Sequence, residues 1–232
     1  MQIYNAQIFS VDSKETRRYA GLNRAENFDE TKILEACDDA RVLISPRSVW
    51  EVYSYDCENQ LVNEKISLHG KSIGKHLIGC EKIICLSATV GIDIENEITS
   101  RFNSGNYTNA ILLDAAATSA VEQVANSLEN SIKQTFSKQG YKTRWRFSPG
   151  YGDFPLEDQT EVFKLACADK IGIELTESMM LEPRKSITAV IGLYKSHGEE
   201  NIETRPKCTM KPNCSECSRV YCEFRNRKSN FE

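Results

Sequence analysis

The clearest signal in the chain is a run of apolar residues at three- and four-residue steps. Leu113, Ala117, Val121, Val124, Leu128, Ile132 and Phe136 fall on one face of a helix that the pattern extends over residues 107–137, with Gly140 as its stop. A shorter helix over 29–40 is carried by Ile33, Leu34 and Cys37. Two more are predicted over 64–78, along Ile66, Ile73 and Leu77, and over 158–171. Strand signals lie between them. "SVWEVYSY" at 48–55 is rich in β-branched and aromatic residues. Residues 83–86 read as a short buried strand ended by Val90-Gly91, after which Asp93 is placed to cap a helix. Residues 143–147 read as a strand. Residues 173–180 and 187–194 read as two strands joined into a hairpin by "LEPRK", a turn around Pro183. Strands separated by helices of unequal length, with a locally paired couple at the end, predict an α+β fold: a mixed, largely antiparallel sheet with packed helices rather than a doubly wound parallel one. The polar stretch 195–206 reads as a linker. It divides the chain into a main domain over 1–200 and a cysteine-rich tail over 201–232.

A chain of 232 residues, 40% of them hydrophobic, is long enough for one substantial core. The net charge of −4 lacks the basic footprint of a nucleic-acid binder. No apolar run is long enough to cross a bilayer, and the first residues lack the basic-then-apolar order of a signal peptide. A cytoplasmic, soluble protein is the expectation. Five of the nine cysteines, Cys37, Cys57, Cys80, Cys85 and Cys167, sit among apolar neighbours and read as small core residues.

Few stretches carry chemistry. "GKSIGK" at 70–75 suggests a phosphate loop, but the motif needs a glycine at position 65, where the chain has lysine. His69, His76 and His197 form no metal-ligand pair, and no Gly-x-Ser-x-Gly elbow is present. The exception is "RWRFSPGYGDFPLEDQ" at 144–159. It begins as a strand and breaks into a turn at Pro149-Gly150, with Arg146 and Tyr151 on either side. Such a turn leaves backbone amides and carbonyls pointing outward. An arginine fork beside a tyrosine ring suits a zwitterionic ligand; a plain strand-to-helix connection is the alternative.

"RFSPGYGDFP" followed by "GIELTESMMLEPRKSITAVIGL" resembles the activation domain of cobalamin-dependent methionine synthase. That family has an Arg-x-x-Pro-Gly-Tyr loop, a helix, a Leu-Thr-Glu-Ser strand, a proline-containing turn and a closing strand, and this chain has them in the same order. The helix "LLDAAATSAVEQVANSLE" resembles the one that precedes the loop. The resemblance spans residues 112–193 and is nearest to free-standing members of the family. It implies S-adenosylmethionine binding and support of reductive methylation of cobalamin: an electron reduces the cobalt, and S-adenosylmethionine supplies the methyl group. It further implies that Arg146 holds the ligand carboxylate, that the backbone at Ser148 touches the ligand, that Tyr151 completes the loop, and that Glu122 is the acidic residue supplied by the helix. Gly152 and Phe154 replace a proline and a cysteine of the large enzyme's loop, and a family tyrosine falls near Ile191. The chain carries no homocysteine, folate or cobalamin module. The implied partner is therefore a separate cobalamin-binding methionine synthase module or other corrinoid protein, with an electron donor such as flavodoxin or ferredoxin. A non-catalytic S-adenosylmethionine sensor or corrinoid-protein docking module is the alternative role.

The tail has its own signal. Cys208, Cys214, Cys217 and Cys222 are spaced C-x5-C-x2-C-x4-C and suit one zinc ion or an iron–sulfur cluster. The spacing matches no standard ferredoxin run or finger and leaves the two metals, or free thiols, open. A zinc-bearing interaction module is a further reading of the chain. Arg219, Arg225, Arg227 and Lys228 make a nucleic-acid knuckle a lesser one.

Overall fold

The computed structural model describes residues 1–195. The cysteine tail and the boundary at residue 200 lie outside the described residues. In chain order the elements are β1 (Gln2–Ile3), α1 (Ser13–Tyr19), α2 (Glu30–Leu43), β2 (Arg47–Asp56), β3 (Leu61–Val62), β4 (Ile66–Ser67), α3 (Lys71–His76), β5 (Lys82–Thr89), α4 (Asp93–Asn103), α5 (Tyr107–Ser137), β6 (Tyr141–Thr143), α6 (Gln159–Leu165), β7 (Glu174–Leu175), β8 (Leu181–Glu182) and β9 (Ser186–Lys195). The main sheet runs β4-β3-β2-β5-β9-β6, with β1 added to β2. Every pairing in it is antiparallel.

Strand β5 is the axis of this sheet. Its ladder with β2 runs from Arg47↔Thr89 to Ser54↔Lys82, and its ladder with β9 from Lys82↔Leu193 to Thr89↔Ser186. After Lys82 every residue of β5 is buried. Both faces of the strand are covered, which is why "KIICLSAT" shows no alternation in sequence. On one face Trp50, Ile84, Leu86, Ala189 and Ile191 meet Leu128, Ile132 and Phe136 from the C-terminal half of α5. On the other, Ile83, Cys85 and Val190 meet Phe147, Phe154, Val162 and Leu165.

Helix α5, about 46 Å long at 1.5 Å per residue, serves two layers. Its N-terminal half leaves the sheet and packs through Leu113, Ala116, Ala117, Ala120 and Val124 against Ala36 and Ala40 of α2 and Ile94 and Ile98 of α4. The alanines keep the helices close. Helix α1 is fixed to the same surface by Asp12. Its side chain caps α1, accepting from the amides of Lys14 (2.9 Å) and Glu15 (3.1 Å). Its backbone is held by Gln123 (3.0 Å) and Ser119 (3.2 Å) of α5.

The α+β class and the long helix agree with the sequence pattern; several local readings do not. The segment 64–78 is not one helix. Gly70, at φ +109°, breaks it, and a β-carbon there would lie 2.5 Å from the Asp153 carbonyl oxygen, so only α3 is helical. Asp93 does not cap α4: Ile92 is the cap residue and Asp93 the first helical one. Residues 143–147 form no strand beyond Thr143, although Phe147 makes an isolated bridge to Val190. The helix over 158–171 is interrupted at Cys167, which takes φ 52°. The terminal hairpin is replaced by a different pairing. The chain turns at Thr176–Met180 through Thr176 N–H···O Met180 (2.9 Å), so β7 pairs only with β8, and β9 inserts between β5 and β6. Sequence proximity favoured the local partner; the buried edge of β5 took the strand instead. The short β1 and α1 carry no long apolar period and were not foreseen.

His76 closes the second face. Its ring lies 4.4 Å from that of Trp145 and 5.0 Å from that of Phe147, and its Nε2–H donates to the Trp145 carbonyl at 2.9 Å. Burial pushes it down from 6.5 to about 4.

Two outcomes follow. Leu128, fully buried beneath β5 and β9, lies in rigid surroundings, so Leu128→Ala is expected to cost about 2–5 kcal/mol in urea unfolding. His76 is neutral in the fold, whereas the unfolded chain takes up a proton as pH falls through the ordinary histidine value. Stability contributed by the neutral ring is therefore intact at neutral pH and lost between about 6.5 and 4. Unfolding free energies at pH 7 and pH 5 should differ by about 2 kcal/mol more in the native chain than in His76→Phe.

Candidate functional site

The chain leaves β6 but stays laced to β9. Arg144 N–H donates to Gly192 O at 2.8 Å, and Phe147 and Val190 exchange amide bonds at 2.9 and 2.8 Å. This extended backbone sends neighbouring side chains to opposite sides of the sheet. Phe147 enters the cluster with Phe154, and Arg146 points back to α5.

The turn itself is built from short-range bonds: Tyr151 N–H to Ser148 O (3.2 Å), Phe154 N–H to Tyr151 O (3.0 Å) and Gly150 N–H to Phe154 O (2.9 Å). Gly150 takes φ +87°, a region in which a side chain would be strained. Phe154 anchors the turn, almost wholly buried and 6.1 Å ring-to-ring from Phe147. Ser148 Oγ donates to the Thr188 carbonyl (2.7 Å), and Gln159 holds the Thr188 hydroxyl (2.7 Å).

Two carboxylates fasten the loop to the start of α3 and to the residue His69 just before it. Asp153 accepts from the amides of Lys71 (3.0 Å) and Ser72 (2.7 Å), and Ser72 holds its carboxyl below the usual range. The buried Asp158 accepts from the His69 amide at 2.7 Å and meets His69 Nδ1 at 2.7 Å. The amides of "GKSIGK" are thus turned on the protein's own carboxylate, not on a phosphate.

Arg146 is the centre of the arrangement. Its Nη1 donates to Asn126 Oδ1 (2.8 Å) and Glu129 Oε2 (2.6 Å), and its Nη2 to Glu122 Oε2 (2.5 Å). Residues 122, 126 and 129 lie on one stripe of α5. Burial opposes the charge on the guanidinium, but Glu122 and Glu129 outweigh it and raise its pKa. The guanidinium is thus shared between two carboxylates of the same helix. The Arg146 and Glu129 side chains are 17% and 15% exposed, while Glu122, at 33%, is the more open carboxylate.

Tyr151 stands beside this group, 49% exposed, its ring 6.2 Å from Phe147. Burial and then Glu122 push its phenol up, against Arg146. Tyr19, at the end of α1, responds to burial and to Glu122 in the same way, with the Arg18 guanidinium 4.1 Å over its ring.

Of the four ligand residues expected from the sequence, Arg146 and Glu122 are therefore in direct contact, with Tyr151 next to them. Ser148 lies in the same turn, its side chain committed to β9. Ile191 is buried against Leu128 and Ile132, away from this group. Asn126, Glu129 and Tyr19 were missed. The spacing of Glu122, Asn126 and Glu129 was visible on the helix but had no partner until Arg146 was placed. Asp12-x-x-Glu15, an acidic variant of a capping box, was the available sign of α1. Among the described residues no group of three His, Cys, Asp or Glu could hold a metal, and no helix is long and apolar enough to cross a membrane.

Comparison with known proteins agrees with the fold. A search of curated proteins found no match. The crystal structure of the MetH reactivation domain bound to AdoHcy superposes with a TM-score of 0.53 over 87% of this chain and 81% of that one, at 13% sequence identity. The two share a fold. The sequence model of the vitamin B12 dependent methionine synthase activation domain matches residues 72–203, more than half of the chain and all of the loop built around Arg146. The chain therefore belongs to the family of vitamin B12 dependent methionine synthase activation domains.

Proposed function

We propose that residues 1–200 bind S-adenosylmethionine against Arg146, Glu122, Tyr151 and the Ser148 backbone. The chain would then serve as an activation subunit for cobalamin carried by a separate methionine synthase module or other corrinoid protein. The observation that carries this reading is the Arg146–Glu122 pair beside the Pro149-Gly150 turn. A zwitterionic amino-acid end exchanges with such a pair charge for charge: its carboxylate takes the arginine fork and its ammonium takes the released glutamate. Glu122, the more open of the two carboxylates, is the one placed to yield. Tyr151 and Tyr19, whose phenols both respond to Glu122, offer ring surface to the rest of the ligand. Family membership and the AdoHcy held by the structurally similar reactivation domain point to the same ligand class.

Cobalamin on the partner, reduced by a donor such as flavodoxin or ferredoxin, would supply the nucleophile. This chain's part is to hold the sulfonium methyl in place. Mixing the chain with a purified cobalamin protein, S-adenosylmethionine and a reductant tests the role. Methyl transfer to the cobalamin that depends on this chain supports activation, whereas binding without transfer favours the sensor or docking role.

In the tail, we propose that Cys208, Cys214, Cys217 and Cys222 share one zinc ion or iron–sulfur cluster. Four clustered thiols in a reducing compartment make a strong thiolate ligand set. Anaerobically purified protein is expected to contain either iron with acid-labile sulfide or one zinc per chain. Four freely titratable tail thiols and no metal would overturn this part.

Arg146→Ala is expected to weaken S-adenosylmethionine binding roughly tenfold to a hundredfold in calorimetry, the worth of a charge-assisted hydrogen bond. Arg146→Lys should restore little of it, because an ammonium lacks the planar fork. Unchanged affinity in folded Arg146→Ala would remove the site assignment.

A further inference from the structure

Arg144 is a buried charge that the ligand site does not use. It is 9% exposed, yet among the described residues no carboxylate pairs with it. Its Nη2 donates to the Ile78 carbonyl at 2.8 Å, its guanidinium lies 4.8 Å over the Tyr194 ring, and its Nε–H has no acceptor. A buried ion without a counter-charge costs free energy. The buried Tyr55 hydroxyl lacks a partner as well. Both side chains lie beside the thiol of Cys80. We propose that Cys57 and Cys80 form a redox site that closes reversibly into a disulfide, with Arg144 and Tyr55 as the groups that receive the Cys80 thiolate. This site is separate from the proposed ligand and does not depend on it.

The sheet brings the two thiols together. The β2–β5 ladder reaches Ser54↔Lys82 and is continued by the Tyr55 amide, which donates to the Glu81 carbonyl at 3.0 Å. One further step sets Asp56 across from Cys80 and makes Cys57 its diagonal neighbour. That placement suits the Cα separation of about 4.4–6.8 Å that a disulfide needs. Cys80 and Tyr55 belong to one apolar cluster, and Cys57 packs against it. Both thiols are free. Cys57 is partly exposed and Cys80 fully buried, so an oxidant meets Cys57 first. Burial pushes the Cys80 thiol up to about 11, against the pull of Arg144, and Cys57 adds to the rise. At rest Cys80 is therefore a neutral thiol, and the buried donors around it are unmatched. Ionisation gives Arg144 its counter-charge and Tyr55 its acceptor. With a peroxide as oxidant, Cys57 becomes a sulfenic acid and one water is released. Cys80 then loses its proton and attacks the Cys57 sulfur. The hydroxide it expels takes up that proton as a second water. The two thiols give up two electrons, and the peroxide receives them.

The test treats the full chain with hydrogen peroxide, blocks the remaining thiols and digests with trypsin. Lys65, Lys71 and Lys75 lie between the two cysteines, so the disulfide joins two separate peptides that mass spectrometry identifies. The expected product is a Cys57–Cys80 linked pair that dithiothreitol separates. In Cys80→Ser, the sulfenic acid should accumulate on Cys57 and be trapped by dimedone. Tyr55→Phe keeps the ring and removes only the hydroxyl without a partner. Its unfolding free energy should match that of the native chain, while closure of the sulfenic acid onto Cys80 should slow roughly tenfold, the worth of one hydrogen bond to a charged group. Linkage of Cys57 or Cys80 to other cysteines, or their oxidation to sulfinic acid with no linked pair, would overturn the proposal. So would closure in Tyr55→Phe at the native rate.

Discussion

Helix α5 has to bury one face along its whole length, and no single partner is long enough to cover it. The sheet takes the half around Leu128, Ile132 and Phe136. Helices α1, α2 and α4 take the alanine-rich half. The two layers are therefore one unit, joined by a rigid rod, and the remaining architecture follows from where that rod lies. Strand β5 is sealed on the face that α5 covers, and the turn around Phe154 has to seal the other. The polar stripe of α5 that neither layer buries, Glu122, Asn126 and Glu129, becomes the wall on which Arg146 is held.

The loop shows how a strand can leave a sheet without losing its register. Residues 144–147 make only occasional bonds to β9, yet these suffice to keep side chains alternating. Arg146 and Phe147 are sent to opposite layers, and the turn that follows is fastened on both sides. Phe154 anchors it in the apolar cluster, and Asp153 and Asp158 fasten it to the backbone at and just before the start of α3. Its exposed aromatic residue is Tyr151. The geometry is that of a support fastened on both sides with one aromatic ring turned outward.

The sequence made α5 legible almost to the residue, because an apolar stripe of that length has one interpretation. β2 was legible through its β-branched and aromatic residues, and the core of β5 as a short apolar run. The arginine–turn–tyrosine loop was legible as chemistry through its resemblance to a known family; the structure brings Arg146 and Glu122 into contact. The failures share a cause. The break at Gly70 depends on the approach of Asp153, some eighty positions away in the chain; the partner of β9 depends on the open edge of β5 rather than on its neighbour β7. Nothing in the sequence around Glu129 and Asn126 names the distant guanidinium that meets them. Local pattern shows which residues want to be buried or paired; it does not show with what.

The position of β9 has a consequence for how the protein is made. This strand is the last element of the described chain, yet it lies inside the sheet between β5 and β6, and the ligand loop is laced to it at Val190 and Thr188. During synthesis, everything up to residue 185 emerges with one edge of β5 unpaired and the Arg146 loop without its support. An open, apolar strand edge is a template for pairing with other chains. The nascent protein must hold that edge safe until the ten-residue β9 arrives, and the Arg146 loop gains its footing at the same moment as β5 gains its second partner.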